Sequence, residues 1–193
     1  MGSKYPCGRT GLTASVCVYC GSRDGRDPVH AAAAESTGRM LALNGWGLVY
    51  GAGDVGLMGR VARAHQEAGG RALGVIPEHL MRREIGRRDL DRFVVTETMH
   101  ERKKVMFMNA DAVVCLPGGA GSLDEFFEVL TWRQIGLHEK PILLLDLDGY
   151  WQPLRALLDH VVAQGFAEPS LLGFARLVPD VPALERELRA ALD

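Results

Sequence analysis

Two ionisable residues, Arg102 and Glu125, have the side chains and surroundings that bond cleavage at a sugar would need. Glu125 lies one turn into a predicted helix that follows residues 117–122, and the positive end of that helix keeps a carboxylate ionised. An ionised carboxylate beside a ribose can bind its hydroxyl groups and stabilise the positive charge that develops at C1′ when a base departs. Arg102 is charged at every relevant pH, so it could stabilise the leaving base or help to protonate it.

These residues also have a simpler structural interpretation. Glu125 could serve only as a partner for the helix dipole, and its position alone favours that interpretation. Arg102 and Lys103 could form a solvated basic face of one helix, although Lys103 lies about 100° around the helix axis from Arg102. If Lys103 is functional, its ammonium group would hold an anionic substrate.

Glycine-bearing turns follow three predicted strands, at residues 20–22, 50–59 and 116–122. Glycine has no Cβ, so backbone N–H groups there can approach an anion closely, and the helix that follows adds its positive end. The turns together predict a site for a phosphate monoester. The candidate substrate-binding residues in these turns are Ser22, Gly51, Gly53, Met58, Gly118, Gly119, Ala120, Gly121 and Ser122.

One of these turns also fits a dinucleotide-binding fingerprint. Gly51, Gly53 and Gly56 have the G-x-G-x-x-G spacing between a strand and a helix. Glu78 follows the next strand, roughly where a ribose-binding acid would be wanted. We favour a phosphate site over NAD binding because residues 117–122 are better suited to binding an anion than the turn that carries Gly51.

Short apolar runs alternate along the chain with longer stretches of helical periodicity. This alternation predicts an α/β fold, a doubly wound, Rossmann-like parallel sheet with helices on both faces. In such a sheet, ligands bind at the carboxyl ends of the strands, near the point where the strand order reverses. The predicted strands occupy residues 15–20, 47–50, 72–76, 93–96, 111–116, 141–145 and 175–178. The predicted helices occupy residues 28–44, 57–68, 99–109, 123–135, 151–163 and 182–192.

The overall composition is that of an ordinary globular protein, with 193 residues of which 47% are hydrophobic and 24% are charged. We expect one domain over residues 14–193, preceded by a flexible lead over residues 1–13. The net charge of −2 favours a small-molecule partner over nucleic acid or a membrane surface. Because the sequence contains no apolar run of the membrane-spanning or signal-peptide type, we expect a cytoplasmic protein.

Cysteine and histidine spacing gives little support to a redox or metal site. Cys17 and Cys20 form a C-x-x-C pair, but no second Cys or His pair follows at zinc-finger spacing. A buried free thiol fits the apolar strand around Cys17 equally well. The six histidines contain no ligand-spaced pair. We therefore expect neither a metal nor a cofactor.

Five segments that occur together resemble the LONELY GUY family of cytokinin-activating phosphoribohydrolases, which are often mislabelled lysine decarboxylases. The segments are VYCGS (18–22), YGAGDVGLMG (50–59), GVIP (74–77), MHERK (99–103) and PGGAGSLDE (117–125), and the resemblance extends over residues 14–166. The last two match the family's signatures, an R-K pair after a methionine and P-G-G-x-G-T-x-x-E. A pyridoxal phosphate decarboxylase is not favoured, because none of the four lysines lies at a plausible cofactor loop.

The resemblance implies an enzyme that hydrolyses the N-glycosidic bond of a cytokinin nucleoside 5′-monophosphate or of AMP. The products would be free adenine or N6-substituted adenine and ribose 5-phosphate. The resemblance further implies that Arg102 and Glu125 are catalytic, and it implies a homodimer whose active sites lie near the subunit interface. The residues that would contact the nucleotide by this resemblance are Glu84, Arg102, Lys103, residues 119–125 and Thr131, and Met99 is a further candidate substrate-binding residue.

Two positions depart from the family pattern. Ser122 replaces the usual threonine but keeps the hydroxyl, so phosphate binding should persist. Ala120 replaces a bulkier residue such as tyrosine, so the preferred base does not follow from the resemblance. The main alternative function is a non-catalytic module that binds a nucleotide or molybdenum cofactor. Such a carrier would need the glycine turns, but it would not need Arg102 and Glu125 at the glycosidic bond.

Overall fold

A computed structural model of the chain describes residues 14–81 and 90–192. Seven strands in this part form one parallel sheet, in the order β4-β3-β2-β1-β5-β6-β7. This order confirms the predicted doubly wound α/β fold. The strands are β1 (Ser15–Tyr19), β2 (Gly47–Tyr50), β3 (Ala72–Pro77), β4 (Arg92–Thr96), β5 (Ala112–Cys115), β6 (Ile142–Leu145) and β7 (Ala175–Val178).

Six α-helices cover the two faces of the sheet. They are α1 (Pro28–Leu43), α2 (Gly56–Glu67), α3 (Met99–Met108), α4 (Ala120–Gln134), α5 (Gln152–Ala163) and α6 (Val181–Leu192). Short 3₁₀ turns at Glu78–Leu80, Leu147–Gly149 and Pro169–Gly173 were not predicted. The predicted boundaries of strands and helices agree with the structure to within one residue, except that α4 begins three residues earlier than predicted. Glycine is a poor helix former, which is why the sequence around Gly121 reads as a loop.

Side chains of the central strand β1 alternate between two separate cores, because successive residues of a strand point to opposite faces. Val16 and Val18 pack in the core beneath α1, α2 and α6. Cys17 and Tyr19 pack in the core beneath α3, α4 and α5. Both sets are buried, as expected for a parallel sheet that helices cover on both faces.

The strand order reverses at β1, which pairs with β2 on one side and with β5 on the other. The chain leaves β1 toward α1 on one face and leaves β5 toward α4 on the opposite face, so a crevice opens between the two loops. The two loops are tied at one point, where the Gly21 N–H donates to the Pro117 carbonyl oxygen at 3.0 Å.

A close contact of α1 with α2 holds the loops on one side of this crevice. A Cβ added at Gly38 of α1 would lie only 2.3 Å from the Val61 carbonyl oxygen of α2, so the two backbones approach as only glycine allows.

Within residues 14–81 and 90–192, no helix is both long and apolar enough to cross a membrane.

Candidate active site

A cavity of about 720 Å³ occupies the crevice at the carboxyl ends of β1 and β5. Its size falls within the range of small-molecule sites. The predicted site residues that line it are Ser22, Met58, Met99, Arg102, Gly118, Gly119, Ala120, Gly121, Ser122 and Glu125. The structure therefore brings the catalytic candidates and the glycine-rich segment after β5 to one place.

One wall of the cavity is the N-terminus of α4. Gly119 is the N-cap residue and has no side chain to occupy the first amides of the helix. The N–H groups of residues 120–122 have no acceptor within the helix, and they carry the positive end of its dipole. Ser122 is 3% exposed and adds a hydroxyl at the same end. This end of the cavity can hold a phosphate group.

Close packing of the turn after β5 against the turn after β1 requires glycine at residue 118. A Cβ added at Gly118 would lie 2.1 Å from the Ser122 Oγ and 2.9 Å from the Gly21 backbone nitrogen. A second close approach occurs at Gly56, where φ is +59° and a Cβ would lie 2.3 Å from the Ser22 carbonyl carbon. The glycines thus allow the three turns to meet around the phosphate end of the cavity.

Arg102 is 4% exposed, and the backbone of the turn after β2 holds its guanidinium group. Nη2 of Arg102 donates to the Gly51 carbonyl oxygen at 3.1 Å, and Nη1 lies 3.9 Å from the Met99 Sδ. Within the described part of the chain, the buried Arg102 Nε has no hydrogen-bond partner. A buried donor of this kind is costly without an acceptor, so the arrangement favours an acceptor group on a bound ligand.

The helix that carries Arg102 has a well-defined start. The Thr98 Oγ1 accepts from the Glu101 N–H at 3.1 Å, and the Glu101 carboxylate accepts from the Thr98 N–H at 3.3 Å. This reciprocal pair is a capping box, which fixes the first turn of α3 and with it the approach of Arg102 to the cavity.

Gly51 and Gly53 act on the cavity through other side chains and do not line it. A Cβ at Gly51 would lie 1.7 Å from the Arg102 Nη2, so the absence of a side chain there makes room for the guanidinium group. The Gly53 N–H contacts the Met58 Sδ at 3.2 Å, which holds the Met58 side chain against the turn. Between them lies Ala52, a buried non-glycine residue with φ of +60°.

Glu125 is 9% exposed and lies in the second turn of α4, further into the helix than predicted because α4 starts early. Burial raises the pKa of the Cys17, Cys20 and Cys115 thiols, and the negative charge of Glu125 raises it further by a smaller amount. All three cysteines are free and buried. Cys20 lines the cavity, but a raised pKa keeps a thiol protonated and makes it a poorer nucleophile.

Comparison with known proteins identifies the family. A family described as "Possible lysine decarboxylase" matches residues 58–188. The chain is 42% identical to the probable cytokinin riboside 5′-monophosphate phosphoribohydrolase LOGL2 of Oryza sativa subsp. japonica over 90% of this chain and 71% of that protein. It is 42% identical to the cytokinin riboside 5′-monophosphate phosphoribohydrolase LOG7 of Arabidopsis thaliana, over 90% and 80% of the two chains.

The chain belongs to the LONELY GUY family. The family resemblance inferred from the sequence motifs is thereby confirmed. Solved structures also match this LONELY GUY fold, among them the molybdenum cofactor carrier protein of Chlamydomonas reinhardtii. That match has a TM-score of 0.72 and 20% identity, and it covers 93% of this chain and 97% of the carrier. The molybdenum cofactor binding protein of Rippkaea orientalis matches with a TM-score of 0.71 and 21% identity, over 93% and 98% of the two chains. At this identity the likeness concerns the fold alone.

Among the described residues, four that the LONELY GUY motifs implied as nucleotide contacts do not line the cavity: Lys103, Leu123, Asp124 and Thr131. Lys103 lies outside it and forms ion pairs with Asp124 and Glu128. Thr131 lies on the exposed face of α4. Glu84 falls outside the described residues. Burial lowers the pKa of Lys103, but hydrogen bonds to the two carboxylates outweigh it, so that pKa lies above its ordinary value and Lys103 is charged.

Sequence reasoning missed a group of cavity residues on the two segments that follow β1 and β6, including the first turn of α1. They are Arg23, Asp24, Arg26, Asp27 and His30 after β1, and Tyr150 after β6. The Tyr150 hydroxyl donates to the Gly118 carbonyl oxygen at 2.7 Å, and its ring contacts the His30 ring edge-on at 5.6 Å. The signal that could have found Tyr150 was its position just after a parallel strand, at the edge of the sheet where ligands bind.

The two acidic residues of the β1–α1 loop are occupied by the protein itself. Arg60 binds the Asp24 carboxylate through two nitrogens, at 2.8 and 3.0 Å, and also binds Glu35 at 2.7 Å. Asp27 is the N-cap of α1 and accepts from the Val29 N–H at 2.9 Å. These contacts hold the loop against α1 and α2 and reduce the repulsion that a phosphate group would meet there.

Proposed function

We propose that this protein hydrolyses the N-glycosidic bond of a nucleoside 5′-monophosphate, releasing the free base and ribose 5-phosphate. The observation that carries the proposal is that Arg102 and Glu125 line the same cavity as the N-terminus of α4. A carrier that only binds an anion needs the helix N-terminus but neither of these two side chains. The names of relatives that are 41–42% identical support the same reaction.

The 5′-phosphate of the substrate binds at the N-terminus of α4. The N–H groups of residues 120–122 and the hydroxyls of Ser22 and Ser122 hold the 5′-phosphate. The glycines of the turns allow the backbone to approach the phosphate closely. Binding energy from the phosphate then orients the ribose for reaction at C1′.

Bond cleavage depends on the two charged side chains. Glu125 binds the ribose and stabilises the oxocarbenium-like transition state as the N-glycosidic bond breaks. The electron pair of that bond goes to the base nitrogen, and Arg102 stabilises the departing base with a hydrogen bond. Water adds to C1′ and loses a proton, and the base takes up a proton, so the reaction is balanced.

A product assay tests the function and its dependence on phosphate. We expect free base and ribose 5-phosphate from AMP or from isopentenyladenosine monophosphate, separated by chromatography. The corresponding ribosides should react at least about 10²-fold more slowly, because losing two charge-assisted hydrogen bonds costs roughly 1.5–3 kcal/mol for each. Equal rates with and without the phosphate would refute the phosphate clamp. Tight binding of the monophosphate without any release of base would favour a carrier instead.

We further propose that two copies of the chain pair through the face that carries Thr131. Ile135 and Leu137, which follow Thr131 closely in sequence, are 63% and 68% exposed. Met108 is 68% exposed, and its neighbour Phe107 contacts Trp132, the residue after Thr131, with ring centres 5.0 Å apart. Apolar side chains exposed together are typical of protein interfaces. We expect light scattering to give twice the chain mass for the wild type and the single chain mass for Leu137→Glu. A wild type that is monomeric at all concentrations would contradict this proposal.

We also propose a cytoplasmic location. Cys17, Cys20 and Cys115 are free and buried, and free thiols are typical of proteins kept in a reducing compartment. Fractionation of cells that produce the protein measures this directly.

A further inference from the structure

A buried lysine and two more exposed carboxylates join α3 to α4 beside the cavity. The Lys103 Nζ lies 3.0 Å from the Asp124 Oδ2 and 3.2 Å from the Glu128 Oε1. The Lys103 side chain is only 5% exposed, whereas Glu128 is 21% and Asp124 58% exposed. We call these three residues the α3–α4 clamp.

The clamp is adjacent in sequence to both catalytic candidates. Lys103 follows Arg102 on α3, and Asp124 precedes Glu125 on α4. Neighbouring residues on a helix are about 100° apart around its axis, so Arg102 can face the cavity while Lys103 faces α4. Asp124 and Glu128 are four residues apart and therefore share one face of α4. The clamp thus joins the two helices next to Arg102 on α3 and next to Glu125 on α4.

We propose that Lys103 is a positioning residue that sets the separation of Arg102 and Glu125 across the cavity and does not bind the substrate. This inference rests on the proposed function, since it assigns a role within the same site. It replaces the expectation that the Lys103 ammonium group holds an anionic substrate.

The charges of the clamp explain why its cation is needed. With Lys103 present, one ammonium group lies between two carboxylates and neutralises much of their repulsion. Without it, Asp124 and Glu128 would repel each other next to Glu125, and α3 would lose its polar link to α4. A small shift of α3 would then move Arg102 relative to the bond that breaks. Misplacement by about 1 Å can cost on the order of 10²-fold in rate.

A second lysine offers a matched control. The Lys140 Nζ donates to the Phe107 carbonyl oxygen at 2.6 Å and lies 3.9 Å from the centre of the Phe107 ring. Lys140 therefore holds the C-terminal end of α3, as Lys103 holds the N-terminal half. Because Lys140 does not line the cavity, its loss should alter stability without altering the placement of Arg102.

The experiment compares Lys103→Met, Lys103→Arg and Lys140→Met with the wild type by steady-state kinetics on a nucleoside 5′-monophosphate. We expect Lys103→Met to lower kcat about 10²-fold while KM stays within about twofold. Lys103→Arg should recover most of the rate because it keeps the positive charge. Lys140→Met should keep the wild-type kcat.

A rise in KM for Lys103→Met with an unchanged kcat would overturn the proposal and make Lys103 a substrate ligand. An equal fall in kcat for Lys140→Met would also overturn it, because the effect would then be general loosening of α3. If the wild type itself releases no base, the proposed function fails, and this outcome is separate from the two above.

A second set of variants keeps the test decisive if Lys103→Met does not fold. Glu128→Gln and Asp124→Asn remove the other side of the clamp. We expect the double variant Asp124→Asn, Glu128→Gln to lower kcat without raising KM. We also expect Lys103→Met to add little to that loss, since all three residues act through one set of contacts. Full additivity of the two effects would contradict a shared role.

Discussion

The Glu125→Gln variant is expected to release base from a nucleoside 5′-monophosphate about 10³-fold more slowly than the wild type. Glutamine has nearly the same shape, so the cavity and the α4 N-terminus should keep their structure. What is lost is the negative charge that stabilises the oxocarbenium-like transition state. Because that charge matters mainly in the transition state, kcat should fall while the dissociation constant for ribose 5-phosphate changes little.

Chromatography of the released base measures the rate, and isothermal titration measures binding. Glu139→Gln is a suitable control, because Glu139 is exposed and does not line the cavity. We expect this control to behave as the wild type. A Glu125→Gln protein that retained more than about a tenth of the wild-type kcat would remove Glu125 from its catalytic role.

The Gly51→Ala variant is expected to lose on the order of 10²-fold in kcat while its melting temperature stays close to that of the wild type. The added Cβ would lie 1.7 Å from the Arg102 Nη2, and the three atoms nearest to it all belong to the Arg102 guanidinium group. The far end of a flexible side chain gives way more easily than backbone does. We therefore expect Arg102 to leave its hydrogen bond with the Gly51 carbonyl while the turn keeps its conformation.

Gly173→Ala controls for the general effect of replacing a glycine. No atom lies within 4 Å of a Cβ added there, and Gly173 does not line the cavity. Calorimetry gives the melting temperatures, and the product assay gives kcat for both variants. If Gly51→Ala kept full activity, the position of Arg102 against the backbone would not matter for the reaction.

Local patterns in the sequence were sufficient to predict the architecture. Each strand is a short apolar run between turn residues, and each helix has apolar positions at helical spacing, so their order predicts a doubly wound sheet. The one large boundary error, at α4, occurred where Gly119 and Gly121 make a helix start resemble a loop. Glycine is unfavourable within a helix, but at this end it leaves the amides accessible to a ligand.

The site residues that motifs mark by their residue type could be predicted from the sequence. The direction in which a side chain points could not. Arg102 and Glu125 were identified from their motifs, and both line the cavity. The position of Lys103 against α4 depends on how two helices pack, which no local pattern encodes. The contact of Tyr150 with Gly118 depends on the turn after β6, where Asp148 has φ of +49° and Gly149 has φ of +76°. Neither φ value follows from composition or periodicity.

The way the phosphate end is built has an evolutionary consequence. In the proposed reaction, backbone N–H groups at the start of α4 hold the anion, so this ability depends on the fold and on a few small residues more than on particular side chains. The proposed cleavage depends on Arg102 and Glu125, each of which a single codon change could remove. A lineage with this fold could therefore lose hydrolysis in one step and keep its affinity for anionic ligands. Descent with loss of catalysis is thus a short path from a hydrolase to a carrier, whereas the reverse path requires two charged residues to arise together.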